Sequence, residues 1–416
     1  MKMKRIIESL IFLITISGFA QEQLTLQECY SLVAKNYPLA HQSVLLEQQN
    51  ALDLEVIETD RLPELGFSAQ ATYQSDVIEV PLPTIEPLNK DQYRATVSVN
   101  QLIYGGGIID ASIHAKSLAL ETSKKQVEVN LYQLKKQVNQ LYFSVLLTQE
   151  NKLLLTATQS QLETKLKEIQ SGIKYGSLLP TSDKVIEAEL LKIQQNIAEV
   201  NETKISLVQT LSSLIGQTIN TEIILQNEDV FISQANEFNR PELELFELKK
   251  NEIDASEALI AKKNSPKLIG FANGGYGNPG LNVLDNSFQP FYTVGLKLNW
   301  TVFDWNASRK ERQSLAINKD LIDTESEVFQ LNSNIELDQR QSEINKIEAF
   351  IISDLQIIEL RKEVLQAADS QLKNGVITSS AYITELTNLF VDENTLIRHK
   401  IQLSLAKANY NIIQGH

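Results

Sequence analysis

The sequence contains little of the chemistry on which enzymes and metal proteins rely. Its 416 residues include one cysteine, two methionines and four histidines. The lone Cys29 excludes a disulfide within the chain, and we expect it to be a half-buried helix residue. The histidines lack metal-ligand spacing, and the methionines stand only at positions 1 and 3. We therefore predict no catalytic, cofactor or metal site and no enzymatic activity.

Positive charge is also scarce. Lys and Arg number 38 against 52 Asp and Glu, which gives a formal net charge of −14. This acidic balance argues against nucleic acid or an anionic lipid surface as a partner.

Long hydrophobic runs are missing, apart from a short one at the start. Three basic residues precede the apolar stretch 10–16, and Gly18-Phe19-Ala20 has small residues where a signal peptidase reads. We interpret residues 1–20 as a cleaved signal peptide. The alternative is an N-terminal membrane anchor, but the stretch is too short to span a bilayer. An exported chain without a later run of about 18 apolar residues is expected to be secreted, periplasmic or inserted in an outer membrane through strands.

What the sequence does contain is one pattern that occurs twice. Three residue pairs share an offset of 199 positions: Tyr104 and Phe303 at strand ends, Gly176 and Gly375 in turns after very long helical runs, and Gly216 and Gly415 at helix ends. A fixed period that joins strands to helices is typical of a duplicated fold.

The helical runs are longer than one globule needs. Residues 107–173 contain no proline and would reach roughly 100 Å as a helix. Their apolar residues step by four and three, as in a coiled-coil seam: Val127, Leu131, Leu134, Val138, Leu141 and Val145. Residues 306–373 behave alike, with a change of phase between Ile335 and Ile344 that indicates a change of neighbouring helix. Shorter helices are predicted at 25–61, 182–215, 241–263 and 379–413.

Four windows alternate between apolar and polar residues, which is typical of strands with one dry and one wet face. They are 64–74, 93–104, 267–276 and 291–303; in the third, Ile269 and Phe271 break the alternation. The windows could form a small sandwich with the dry face on a core. Their length and their aromatic content favour contact with lipid instead. Four residues are predicted to form an aromatic girdle at the membrane boundary: Tyr104, Trp300, Phe303 and Trp305. Four strands cannot close a barrel, so such a chain must oligomerise.

These elements divide the mature chain into two repeats. We predict a first repeat at 21–216, a belt or linker at 217–240 and a second repeat at 241–416. The fold class is mainly α with a small β part, each repeat reading helix, strand, strand, long helix, helix.

The duplicated order resembles the TolC-type outer-membrane efflux proteins over essentially the whole mature chain. The segments that carry the resemblance are Leu24-Thr25-Leu26-Gln27-Glu28, Leu62-Pro63-Glu64-Leu65, Arg240-Pro241-Glu242-Leu243 and Ser265-Pro266-Lys267-Leu268. The resemblance implies a homotrimer whose strands form a 12-stranded barrel in outer-membrane lipid, continuous with a helical tunnel in the periplasm. It implies a passive exit duct of a tripartite efflux or type I secretion system, which an adaptor protein links to an inner-membrane pump. The alternative from the residues is a periplasmic coiled-coil adaptor or scaffold.

The resemblance also implies which residues meet the partners. The adaptor-docking tips would be Gly176, Ser177, Leu178 and Leu179 in the first repeat and Gly375, Val376, Ile377 and Thr378 in the second. The acidic balance predicts a mild preference of the duct for cations.

The periplasmic entrance departs from the family pattern. Some members narrow it with an aspartate ring after the second turn, where this chain has Ala381 and Thr384. Some pair an aspartate of the first repeat with an arginine of the second, where Asp183 lies one residue late and Ile377 replaces the arginine. We therefore expect a weaker electrostatic lock, with three candidate lining charges: Asp183, Glu187 and Glu385.

Overall fold

The computed structural model describes residues 24–78, 88–226, 229–233 and 238–416. The predicted signal peptide at 1–20 lies outside the described residues, as do parts of the first strand loop and of the predicted belt at 217–240. In the described part of the chain, no helix combines the length and the apolar character that crossing a bilayer requires.

The described chain follows the duplicated order predicted from the sequence. Its helices are α1 (Leu26–Asn36), α2 (His41–Thr59), α3 (Ile108–Lys174), α4 (Ser182–Ile215), α5 (Pro241–Lys263), α6 (Ala307–Lys373) and α7 (Ser379–Gln414). Its strands are β1 (Glu64–Tyr73), β2 (Asp91–Tyr104), β3 (Lys267–Asn278) and β4 (Gln289–Asn299). The helices α3 and α6 both have 67 residues, and both ends of α6 lie 199 positions after those of α3.

One helix is not continuous as predicted. The expected helix at 25–61 is divided into α1, a 3-10 turn at Pro38–Ala40 and α2. The reason is Pro38, which disfavours helical geometry in the residue before it; Tyr37 is extended, with φ −62° and ψ 138°. The start of α1 is fixed by a capping box, in which Thr25 and Glu28 each accept a hydrogen bond from the other's backbone N–H.

The fold divides into two compact units. The helical unit comprises the described residues up to His41 together with Glu128–Pro241 and Phe329–His416. The strand unit comprises Gln42–Val127 and Glu242–Val328.

The core of the helical unit is built from the predicted seams. Val138, Val145 and Leu162 of α3 are fully buried, and Cys29 packs in the same core as the first two. Cys29 is therefore completely buried and not half-buried as expected, and burial raises the pKa of its thiol to about 12.

The change of phase in α6 separates an exposed stripe from a buried one. Leu321, Val328 and Leu331 before the change are exposed. After the change, Ile344, Ile358 and Leu365 are buried, although Leu355, which continues the same pattern, is exposed. The described residues thus leave the first half of the seam exposed to solvent.

The strand unit contains one antiparallel sheet in the order β1-β2-β3-β4. Val97 of β2 pairs with Phe67 on one side and Gly274 on the other, and Gly274 pairs with Tyr292 of β4. The predicted strand at 291–303 is corrected at its end, because β4 stops at Asn299. Asn299 pairs with Lys267, the first residue of β3, and Pro266 before it has no N–H with which to extend the ladder.

Candidate functional site

One face of the sheet is apolar and remains uncovered. The register brings onto it Leu65, Phe67, Ala69 and Ala71 of β1, Tyr93, Ala95, Val97 and Val99 of β2, Leu268, Ala272 and Tyr276 of β3, and Tyr292, Val294, Leu296 and Leu298 of β4. Phe67 is 73% exposed and Tyr292 79%. Burying such a side chain is worth about 1.5–3 kcal/mol, so an uncovered face of this size indicates a surface that contacts something other than water. In the described part of the chain this face therefore does not cover a core, as it would in a sandwich.

The opposite face of the sheet is here called the polar face. It also carries two phenylalanines, and one of them, Phe271, is a residue that breaks the alternation in β3. Phe271 lies on this face opposite Gly295, and Phe291 lies on it opposite Gly275. A Cβ atom on Gly295 would come within 2.7 Å of the Phe271 ring, and one on Gly275 within 2.5 Å of the Phe291 ring. Each aromatic ring therefore covers a glycine on the neighbouring strand, which is a known way to stabilise a sheet.

Both edges of the sheet are open within the described chain. Strand β1 pairs only with β2, and β4 pairs only with β3. An open edge next to an exposed apolar face leaves a row of backbone N–H and C=O groups available to another strand.

The predicted aromatic girdle lies at the helix-proximal end of the sheet. Tyr104 is the last residue of β2, and Trp300 and Phe303 follow β4. Trp305 lies in the turn before α6 with φ 55°, and its ring packs edge-to-face on Phe303 at 4.9 Å between centroids. All four side chains are exposed, and their role at a membrane boundary stays a prediction.

The two predicted docking tips adopt the same turn. Gly176 and Gly375 have φ values of 73° and 68°, in the left-handed region that favours glycine. A Cβ atom on Gly375 would lie 3.5 Å from the backbone oxygen of Ser177, so the turns are adjacent. Leu178 and Ile377, 199 positions apart, both pack against the helical core.

The exposed residues of these turns are therefore fewer than the sequence suggests. Tyr175, Leu179 and Val376 are the large side chains that point to solvent. Thr378 caps α7 by accepting a hydrogen bond from the Ala381 N–H.

The structure does not join the two halves of the predicted entrance. Glu187 is paired with Lys184 on its own helix at 2.7 Å, and Lys184 also lies 3.5 Å from Asp183. Glu385 lies 3.7 Å from Arg361 of α6. Within the described residues, no hydrogen bond or ion pair connects Asp183 or Glu187 with Ala381, Thr384 or Glu385. The expected weak lock at the entrance stays a prediction.

A charged network around the buried Lys165 links the two repeats. The Lys165 ammonium of α3 donates hydrogen bonds to Asp369 of α6 and to Glu168. It also lies 5.4 Å from the centroid of the buried Tyr382 ring of α7. None of these three charged residues is predicted from the sequence as part of a site. Lys165 lies three positions after Leu162 and four positions before Ile169, so it occupies a position of the apolar seam. A charged residue at such a position is the signal in the sequence that points to a charged partner on a neighbouring helix.

The electrostatics of this network favour its charged form. Burial alone would lower the pKa of Lys165, but hydrogen bonds to Asp369 and Glu168 outweigh burial and raise it. Burial would raise the pKa of Asp369, but hydrogen bonds from Lys165 and Lys373 bring it below its ordinary value. The pair is therefore ionised at neutral pH.

We predict that this network makes part of the protein's stability dependent on pH, and that this part is lost in acid. Because folding lowers the pKa of Asp369, its contribution is complete above the ordinary value of about 3.9 and is lost as the pH falls through the lowered pKa. Hydrogen bonds to charged groups contribute about 1.5–3 kcal/mol. The Asp369→Asn variant should therefore be less stable at pH 7 and lose less further stability between pH 5 and pH 3 than the unaltered protein.

The measurement is thermal unfolding followed by circular dichroism across this pH range. Asp338→Asn, at an exposed position of the same helix, is the matched control and should behave like the unaltered protein. Equal pH dependence of Asp369→Asn and the unaltered protein would contradict the assignment.

No protein-family model and no curated protein sequence matches the chain. Solved structures do match it. The channel-forming protein CusC aligns over 95% of this chain and 92% of its own, with a TM-score of 0.68 and 13% identity. The outer membrane protein VceC from Vibrio cholerae aligns over 94% and 96%, with a TM-score of 0.65 and 13% identity. The CmeC outer membrane channel of Campylobacter jejuni aligns over 94% and 86%, with a TM-score of 0.64 and 14% identity.

The fold is that of the TolC-type outer-membrane channels. The predicted fold class is thus confirmed, including two repeats and four strands per chain. The alternative of a periplasmic adaptor or scaffold, which requires one helical hairpin and sandwich strands, is not favoured.

Proposed function

We propose that this protein is the outer-membrane exit duct of a tripartite efflux or type I secretion system, and that it acts as a homotrimer. It conducts cargo passively and is not an enzyme. The observation that carries the proposal is the uncovered apolar face of the sheet.

The apolar face suits the hydrocarbon of an outer membrane. The strands have 10 to 14 residues, and a tilted strand needs about 9–11 residues to cross the hydrocarbon layer. The exposed aromatic side chains at the helix-proximal end suit the interface with the headgroups. Outer-membrane lipid is therefore proposed as the environment of the strands, with the helices in the periplasm.

The open edges favour a closed ring of copies. Backbone groups at an unpaired edge would cost several kcal/mol each in hydrocarbon. If β4 of one copy pairs with β1 of the next, no edge remains, and three copies give the proposed 12-stranded barrel. Such a ring requires two different surfaces on each copy that fit one another.

The helices of the strand unit supply a matching pair of surfaces. Leu45, Leu52 and Val56 form an exposed apolar stripe on α2, the helix that leads into β1. A second exposed stripe, including Ile317, Leu321 and Val328, lies on α6, the helix that follows β4. We propose that the α6 stripe of one copy packs on the α2 stripe of its neighbour, beside the joined strand edges.

The two adjacent turns of the helical unit are proposed as the docking site of an adaptor protein. Leu179 and Val376 expose aliphatic side chains beside Gly176 and Gly375, while Leu178 and Ile377 hold the turns to the core. An inner-membrane pump would then reach the duct through the adaptor and select the cargo.

Cell fractionation followed by gel electrophoresis tests the proposal. We expect the protein in the outer membrane, and in unboiled samples a trimer band that converts to the monomer on boiling. A monomer in the soluble periplasmic fraction would overturn the proposal.

A further inference from the structure

The polar face of the sheet carries a charge of the opposite sign to the rest of the chain. The strand register places Arg94, Lys267 and Lys297 on this face, together with a single carboxylate, Glu64. The whole chain has a formal net charge of −14. With three cations and one carboxylate, the surface that would line the pore of a barrel thus has a net positive charge.

The two lysines lie close together at the helix-proximal end. Lys267 pairs with Asn299, and Lys297 pairs with Ile269. This makes the lysines diagonal neighbours, at roughly 7 Å between their backbones. Among the described residues, neither lysine forms an ion pair, so both charges remain available to attract a mobile anion.

Arg94 lies nearer the loop end of the same face and is held by an aromatic ring. Its guanidinium carbon is 5.4 Å from the centroid of Phe291, a cation–π contact that orients the side chain. Strand β3 passes between these residues and contributes Gly275 and Gly277. A Cβ atom there would come within 2.3 Å and 2.8 Å, respectively, of backbone oxygens of β2.

Gly275 lies under the half-buried Phe291 ring, and neither glycine carries a side chain that would separate Arg94 from that ring. Arg94 is exposed, and no carboxylate of the described chain forms an ion pair with it. A guanidinium beside an aromatic ring offers charge and hydrogen-bond donors to an anionic group, and apolar contact to the body that carries it.

We propose that the strand pore selects for anions, and that Arg94 and Phe291 form a binding point for organic anions with an apolar body. This inference rests on the proposed function, because only in a barrel does the polar face enclose a pore. It is the reverse of the preference expected from the total charge. Charges on the pore wall act on a passing ion within about one Debye length, whereas charges elsewhere on the protein are screened.

Reversal potentials across planar bilayers in a KCl gradient test the selectivity. Replacing all three cations by Gln (Arg94→Gln, Lys267→Gln and Lys297→Gln) should lower the chloride-to-potassium permeability ratio about twofold or more at 0.1 M salt, and less at 1 M because of screening. Glu64→Gln on the same face should shift the ratio in the opposite direction. Thr293→Ser, also on this face, is the neutral control.

Benzoate tests the binding point. Added to the unaltered channel in KCl, it should reduce the current in a saturable manner, and the reduction should disappear in Arg94→Gln and weaken in Phe291→Leu. A working channel with an unchanged permeability ratio in the triple variant would overturn the selectivity, and equal block of Arg94→Gln would overturn the binding point. Absence of any channel from a purified trimer would instead overturn the proposed function and this inference with it.

Discussion

Val294→Arg is expected to abolish assembly in the outer membrane. Val294 is 72% exposed on the apolar face, near the middle of β4, so a charge there would face the centre of the hydrocarbon layer in a barrel. An arginine at such a position costs about 2–4 kcal/mol in each chain, and a trimer contains three. Because the side chain is uncovered in the single chain, the substitution should leave the fold of the helices intact.

Thr293→Arg is the matched control for this experiment. Thr293 is adjacent in sequence and lies on the polar face, where an arginine would remain in water. Heat-modifiable trimer in the outer-membrane fraction should disappear for Val294→Arg and persist for Thr293→Arg. Equal assembly of both variants would show that the apolar face does not contact lipid.

Leu321→Glu is expected to dissociate the trimer without unfolding the chain. Leu321 is 57% exposed in the single chain, so a glutamate there is well solvated before assembly. In the proposed ring the same carboxylate would be buried against an apolar stripe of the neighbouring copy, which costs several kcal/mol without a partner charge. Leu52→Glu on α2 should have the same effect, because the two stripes are proposed to meet.

Ala316→Glu provides the control, since it adds the same charge at an exposed position about 140° around α6 from Leu321 and therefore away from the stripe. Unboiled gels and light scattering of purified protein in detergent would report trimer for Ala316→Glu and monomer for the other two variants. If Leu321→Glu disrupts the trimer but Leu52→Glu does not, the proposed pairing of the stripes is wrong, although oligomerisation itself would stand.

Much of the fold could be predicted because it is recorded in local periodicity. The step of four and three in α3 gives both the helix and the side that is buried, and Val138 and Val145 lie in the core as that pattern indicates. Alternation in β1 and β4 likewise gives the two faces of the sheet. Pro38 is also a local signal, because a proline disfavours helical geometry in the residue before it, and the helix predicted at 25–61 is interrupted there.

The candidate sites were harder to predict because their partners are distant in sequence. Lys165 and Asp369 are 204 positions apart, and no period links a charge in one seam to a charge in another. Arg94 and Phe291 meet only because β3 pairs with both β2 and β4. Asp354 and His399 form a further pair of this kind, at 2.6 Å across α6 and α7, although the sequence shows the histidines only as scattered.

The sequence by itself determined the duplication, the lengths of the long helices and the presence of one dry face on each strand, because these properties depend on residues a few positions apart. Tertiary structure alone decided that the dry face stays uncovered, that the two sheet edges stay open and that the cations gather on the opposite face. These properties depend on strand order and register, which bring together residues from both repeats and which no local pattern encodes.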